Sequence, residues 1–173
     1  MSEVILEKPK KVEDFAYKAH VMSDPLSMSY NAGYNIERDN YHYDTGVIDY
    51  PENRWGKEYL RNYTSDYYFA YIKDVDKNCY VGYCCYYLEN GQYQCGIVIE
   101  SKYRHQGYGR KGLELLIQKA KENEKIKSLY DCFEVDRGCL NLFLSLGFEI
   151  VERTKWQKFS KEVDGVVVKL DLY

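Results

Sequence analysis

Between Tyr67 and Ile99 the chain places three runs of strand length close together: Tyr67–Lys73, Cys79–Leu88 and Tyr93–Ile99, each dense in aromatic and aliphatic residues. The first two are joined through Asp74-Val75-Asp76-Lys77-Asn78, the last two by Glu89-Asn90-Gly91-Gln92. Asn-Gly readily takes the positive φ values of a tight hairpin, so the three runs read as an antiparallel meander. The last run continues past Glu100 into a basic loop with glycines at 107 and 109. Beyond it, Leu113, Leu116, Ile117 and Ala120 recur at helical spacing, predicting a helix from Tyr108 to Asn123.

The flanking segments complete the pattern. A short strand is expected around Val4–Leu6, then a helix near Lys11–Met22 whose apolar face carries Val12, Phe15, Ala16, Ala19 and His20, stopped by Asp24-Pro25. The stretch from Ser27 to Pro51 is irregular and aromatic-rich, and Pro51-Glu52 opens a second helix reaching Tyr63. After the long helix come a strand at Leu129–Phe133 and a short helix at Gly138–Leu146. A closing pair of strands, Phe148–Phe159 and Val166–Leu172, is expected to turn at Asp164-Gly165. This order predicts a mixed α/β (α+β) fold of about seven strands and about four helices, neither a bundle nor a sandwich. With 173 residues and no internal repeat or linker, the expectation is one domain over residues 1–173.

Several function classes are disfavoured. No run approaches the ~18 apolar residues of a membrane span. The start, Met1 to Lys8, lacks a basic head followed by an apolar stretch, so a cytoplasmic location is expected. A net charge of −3 is too mild to suggest nucleic-acid binding. The distribution is bipolar, however. From Ala19 to Glu52 the acids Asp24, Glu37, Asp39, Asp44, Asp49 and Glu52 face only Arg38, whereas Ser101–Ser128 is rich in Lys and Arg. The six cysteines include no C-x-x-C pair, and Cys84-Cys85 would point to opposite faces of a strand. Reduced, mostly buried thiols are expected, with no metal site.

The segment from Gly96 to Arg110 is the most specific part of the chain. Glycines at 107 and 109 let the backbone approach a ligand, and a helix opening there turns its amides and positive end toward an anion such as a diphosphate. Arg104, Arg110 and Lys111 add positive charge. Gly107-Tyr108-Gly109-Arg110-Lys111-Gly112 spells the dinucleotide-binding pattern G-x-G-x-x-G, but an antiparallel meander precedes it and seven residues, Glu100 to Gln106, separate it from the strand. Both features argue against a Rossmann unit.

Arg104-His105-Gln106-Gly107-Tyr108-Gly109 instead resembles the acetyl-CoA-binding motif of the GNAT superfamily of N-acetyltransferases, Q/R-x-x-G-x-G/A. Leu142-Phe143-Leu144-Ser145-Leu146-Gly147-Phe148 is similar to that family's L-Y-x-x-L-G-F helix ending. The resemblance implies an acetyl-CoA-dependent acyltransferase in which Ile97, Val98 and Ile99 hydrogen-bond the pantetheine arm. The turn of Arg104, His105, Gln106, Gly107, Tyr108, Gly109 and Arg110 would hold the diphosphate. Phe143 stands where the family commonly has the Tyr that protonates the departing thiolate, so water or the hydroxyl of Tyr103, Tyr108 or Tyr130 would have to help. An oxyanion donor is expected near Val98, with Glu134 as the candidate base.

The acceptor implied is a small-molecule or peptide amine, cationic in view of the acids and aromatic residues between the first two helices. A homodimer through the closing strands fits the family pattern. A non-catalytic acyl-CoA-binding sensor or interaction module of the same fold is the alternative.

Overall fold

A computed structural model describes residues 2–173. The meander forms as expected: β2 (Tyr67–Asp74), β3 (Cys79–Glu89) and β4 (Gln92–Ile99) pair antiparallel, and Asn90 and Gly91 turn the hairpin at φ 50° and 79°. β1 (Val4–Glu7) lies along β2. On the other side β5 (Ser128–Glu134), β7 (Lys161–Asp171) and β6 (Glu149–Lys158) complete a seven-stranded sheet in the order β1-β2-β3-β4-β5-β7-β6. All pairs are antiparallel except β4 with β5, which are parallel and in register only at Tyr93–Leu129 and Gln94–Tyr130. Beyond those two pairs the strands part.

Alternation along the strands gives the sheet two apolar faces. One packs under α4 (Tyr108–Lys121), whose Leu113, Leu116, Ile117 and Ala120 are all buried. The other packs under α1 (Ala16–Met22) and the aromatic residues around it, with Phe15, Phe69, Tyr71 and Tyr83 at its centre. Cys84 belongs to the first face and Cys85 to the second, as their adjacency in a strand requires. All six cysteines are free; Cys84 and Cys95 are buried, whereas Cys132 is exposed.

The structure corrects several local expectations. The first helix begins as a 3₁₀ turn at Val12–Phe15, and its buried residues are Phe15, Val21 and Met22. His20 is off the apolar face, with its side chain 60% exposed and its ring 3.2 Å from Glu100. Asp24 ends that helix but caps the next: its carboxylate accepts from the Leu26 and Ser27 amides at the start of α2 (Pro25–Met28). The second predicted helix contracts to a 3₁₀ turn at Glu52–Arg54 followed by α3 (Trp55–Arg61).

The closing hairpin turns at Phe159 and Ser160, not at Asp164-Gly165. Gly165 lies inside β7, where a Cβ would sit 2.4 Å from the Trp156 ring, so the glycine marks a close packing contact rather than a turn. Phe159 holds φ 49° without being glycine because tertiary contacts fix it. Its amide donates to the Gly33 carbonyl at 2.8 Å, and its ring meets Tyr43 edge-on at 5.4 Å. These contacts tie the hairpin tip to the aromatic segment after α2. The last short helix is α5 (Leu140–Ser145).

Candidate active site

The parting of β4 and β5 opens a cleft of about 490 Å³. On its β4 side, Glu100 donates its amide to the Val81 carbonyl of β3 at 2.9 Å. Antiparallel alternation then turns the Val98 amide toward β3 as well, leaving Ile97 and Ile99 to point their main-chain groups across the unpaired edge. The open-edge donors are therefore Ile97 and Ile99, flanking the position expected from sequence, while the Val98 side chain lines the cleft.

At the end of β4 the chain makes one 3₁₀ turn (Ser101–Tyr103), then His105 and Gly107 adopt φ 59° and 88° and α4 begins. Gly107 is the N-cap and has no side chain to bond the helix's first amides, so those of Tyr108, Gly109 and Arg110 are uncapped. A fourteen-residue helix with a bare positive end is well suited to an anion. His105 and Gly109 line the cleft beside this turn.

The side chains of the turn serve other purposes than the amides. The Arg104 guanidinium keeps its positive charge at the turn and donates to the carbonyls of Ile99 (3.1 Å), Ser27 (2.7 Å) and Leu26 (3.3 Å), fastening the loop to α2. Gln106 bonds the Lys102 carbonyl, and Arg110 reaches Ser145 and Glu114. The Tyr108 hydroxyl is buried against Asp74 and Lys77. Of the three tyrosines considered as proton donors only Tyr103 lines the cleft, and its hydroxyl faces the Cys79 sulfur at 3.8 Å.

Across the cleft, Phe143 on α5 is 1% exposed and packs between Phe133 and Phe148, with ring centroids 5.0 and 4.9 Å away. Glu134, the base expected from sequence, does not line the cleft: it accepts from Tyr34 at 3.1 Å and pairs with Lys158 at 3.0 Å. Asp131 does line it, two residues past the start of the pairing with β4. Burial pushes its carboxyl up to about 7, opposed in part by a 2.8 Å bond from the Cys132 amide and by the charge of Arg137. Asp131 was legible as a lone carboxylate inside the apolar run Leu129–Phe133. None of the acids between Ala19 and Glu52 lines the cleft. Among the described residues no cluster suited to a metal ion occurs, and no helix is long and apolar enough to cross a membrane.

Residues 30–148 match the model of the acetyltransferase (GNAT) family. The chain belongs to this family. As a GNAT acetyltransferase it shares its fold with solved structures at low sequence identity. A GNAT acetyltransferase from Streptococcus pneumoniae superposes with a TM-score of 0.77 at 14% identity, covering 98% of this chain and 99% of that one. An acetyltransferase from Salmonella typhimurium, solved with its cofactor acetyl-CoA, gives 0.74 at 15% identity over 99% and 95% of the two chains. A spermidine N-acetyltransferase from Vibrio cholerae, in complex with CoA and spermine, gives 0.76 at 11% identity over 98% and 95%. No match is found among curated protein sequences. The mainly antiparallel seven-stranded sheet of the GNAT fold is thus reproduced in full by this acetyltransferase, with five helices where about four were expected.

Proposed function

We propose that the protein transfers an acetyl group from acetyl-CoA to a primary amine by direct attack, without a covalent enzyme intermediate. The observation that carries this reading is the continuity of an unpaired strand edge at Ile97 and Ile99 with an uncapped helix end at Tyr108–Arg110. An extended amide-bearing arm adds to an open edge as a further strand would, and a diphosphate fits the bare amides. The main-chain groups of Ile97 and Ile99 hold the pantetheine, the amides from His105 to Arg110 hold the diphosphate, and Phe143 packs beside the arm. Acetyl-CoA supplies the activated carbonyl.

The chain's own groups manage charge and protons. An edge amide of Ile97 or Ile99 donates to the oxygen that becomes negative as the amine adds. The amine arrives as a cation with a pKa near 10 and must lose its proton before or during attack. Asp131 is the acceptor, because a carboxyl near 7 is both ionised often enough and basic enough to take it. Glu134, neutralised by Lys158, is a positioning residue for the cleft wall. Phe143 brings no proton, and the same Asp131 can return one to the thiolate, whose ordinary pKa is about 8.5.

The test is mass spectrometry of an amine panel incubated with the full chain and acetyl-CoA, paired with a thermal shift on acetyl-CoA alone. A 42 Da gain on an amine is expected for acetylation, together with a raised melting temperature at saturating acetyl-CoA. Absence of both overturns the reading.

A further inference from the structure

The charges around the cleft bear on which amine is acetylated, an inference that rests on the transferase reading above. Three Arg and Lys side chains line the cleft, and they differ in their engagement. Arg104 is held by three carbonyls, and Lys158 is paired with Glu134. Arg137, just beyond β5, lies with its guanidinium 4.0 Å from the centre of the Tyr30 ring and has no ion pair or hydrogen bond among the described residues. A guanidinium lying over an aromatic face satisfies its charge without using its N–H donors, and those donors match a carboxylate in bidentate fashion. Among the described residues Asp131 is the sole carboxylate lining the cleft. It lies near enough to Arg137 to feel its charge.

We infer that the acceptor is a compact zwitterion, an amine a few bonds from a carboxylate, whose carboxylate docks on Arg137 while its amine meets Asp131. The acids of the Ala19–Glu52 stretch, which from sequence alone favoured a cationic acceptor, are directed elsewhere. Asp24 caps α2 and accepts from Ser101, Asp49 faces His42, and Glu37, Asp39, Asp44 and Glu52 are exposed away from the cleft. A polyamine would bring a second positive charge toward Arg137, with Asp131 to balance it. The cleft also has to hold the pantetheine arm within its ~490 Å³, which leaves room for a small acceptor.

The deciding experiment incubates the full chain and acetyl-CoA with glycine, L-alanine and L-phenylalanine, with the methyl ester of each, and with spermidine, and measures kcat/KM for acetylation. Free amino acids are expected to exceed their esters by about 10- to 150-fold, the range of a charge-assisted hydrogen bond. Arg137→Gln is expected to collapse that ratio through KM while the thermal shift with acetyl-CoA persists. Esters or spermidine used as well as the free amino acids, or a ratio unmoved by Arg137→Gln, overturn the inference and leave the transferase reading standing. No acetylation of any member, with acetyl-CoA still stabilising the chain, overturns this inference and leaves the transferase reading to the wider amine panel.

Discussion

The Tyr108 hydroxyl donates a 2.6 Å hydrogen bond to the Asp74 carboxylate while accepting one from Lys77 at 3.0 Å. Tyr108 is the first residue of α4 and Asp74 the last of β2, so this bond fastens the uncapped helix end to the sheet. The bond also holds the Asp74 carboxyl below its usual range. A carboxyl lowered in the folded state contributes stability that is complete above its unfolded pKa and is lost as pH falls through the folded one. Tyr108→Phe should therefore lower the melting temperature by several degrees at neutral pH, with the gap to wild type closing under acid conditions. Melting curves from pH 3 to 7 check this. The same variant should weaken acetyl-CoA without removing any group proposed to touch it.

Gly109 separates binding from folding more cleanly than Gly107. Gly107 sits at φ 88°, where any side chain strains the backbone, so its replacement confuses the two. Gly109 is helical, and a Cβ there would meet Leu142 and Ile99 at 3.7 and 3.8 Å, which are ordinary contacts. Gly109→Ala should stabilise the free protein by up to about 1 kcal/mol through helix propensity. Gly109→Val should keep the fold and abolish the acetyl-CoA thermal shift by filling the approach to the diphosphate amides. A valine variant that binds normally would displace the proposed anion site from this turn.

The meander, the long helix and the glycine turn were legible because local signals agreed there. Asn90-Gly91 demanded a hairpin, the spacing of Leu113 to Ala120 demanded a helix, and backbone amides bind anions whatever side chains surround them. What sequence misplaced depends on partners distant along the chain. Gly165 was read as a turn because its packing against Trp156 is invisible locally, while Phe159 turns the chain only because Gly33 and Tyr43 are there to hold it. The fastening role of Arg104 was hidden because the carbonyls of Leu26 and Ser27 lie more than seventy residues away. Glu134 and Asp131 are three residues apart on one strand, and only the parting of β4 from β5 shows which faces the cleft.

Arg104→Ala should lower stability by about 1–3 kcal/mol, since it removes three hydrogen bonds to main-chain carbonyls and unfastens the turn from α2. Arg104→Lys should recover little, because an ammonium cannot reproduce a three-carbonyl fork. Were Arg104 instead a direct ligand of the diphosphate, lysine would retain much of the affinity and alanine would leave the melting temperature unchanged. Denaturant unfolding of the two variants, with acetyl-CoA titrations alongside, distinguishes these roles.

Asp131 offers a test in which stability and activity move in opposite directions. Burial raises its carboxyl to about 7, so folding opposes its ionisation. The folded state is weakened progressively as pH climbs from the ordinary carboxylate range toward 7, and the penalty is complete above it. Asp131→Asn has nearly the same shape and never ionises, so it should raise the melting temperature at pH 8 and sit closer to wild type at pH 4. With the amine that wild type acetylates fastest, turnover should rise through pH 7 as the carboxylate forms. The asparagine variant should lose about 10²–10⁴-fold and with it that pH step. A variant that is more stable yet slower cannot owe its slowness to misfolding. One that keeps wild-type turnover across the whole range would place the proton acceptor elsewhere.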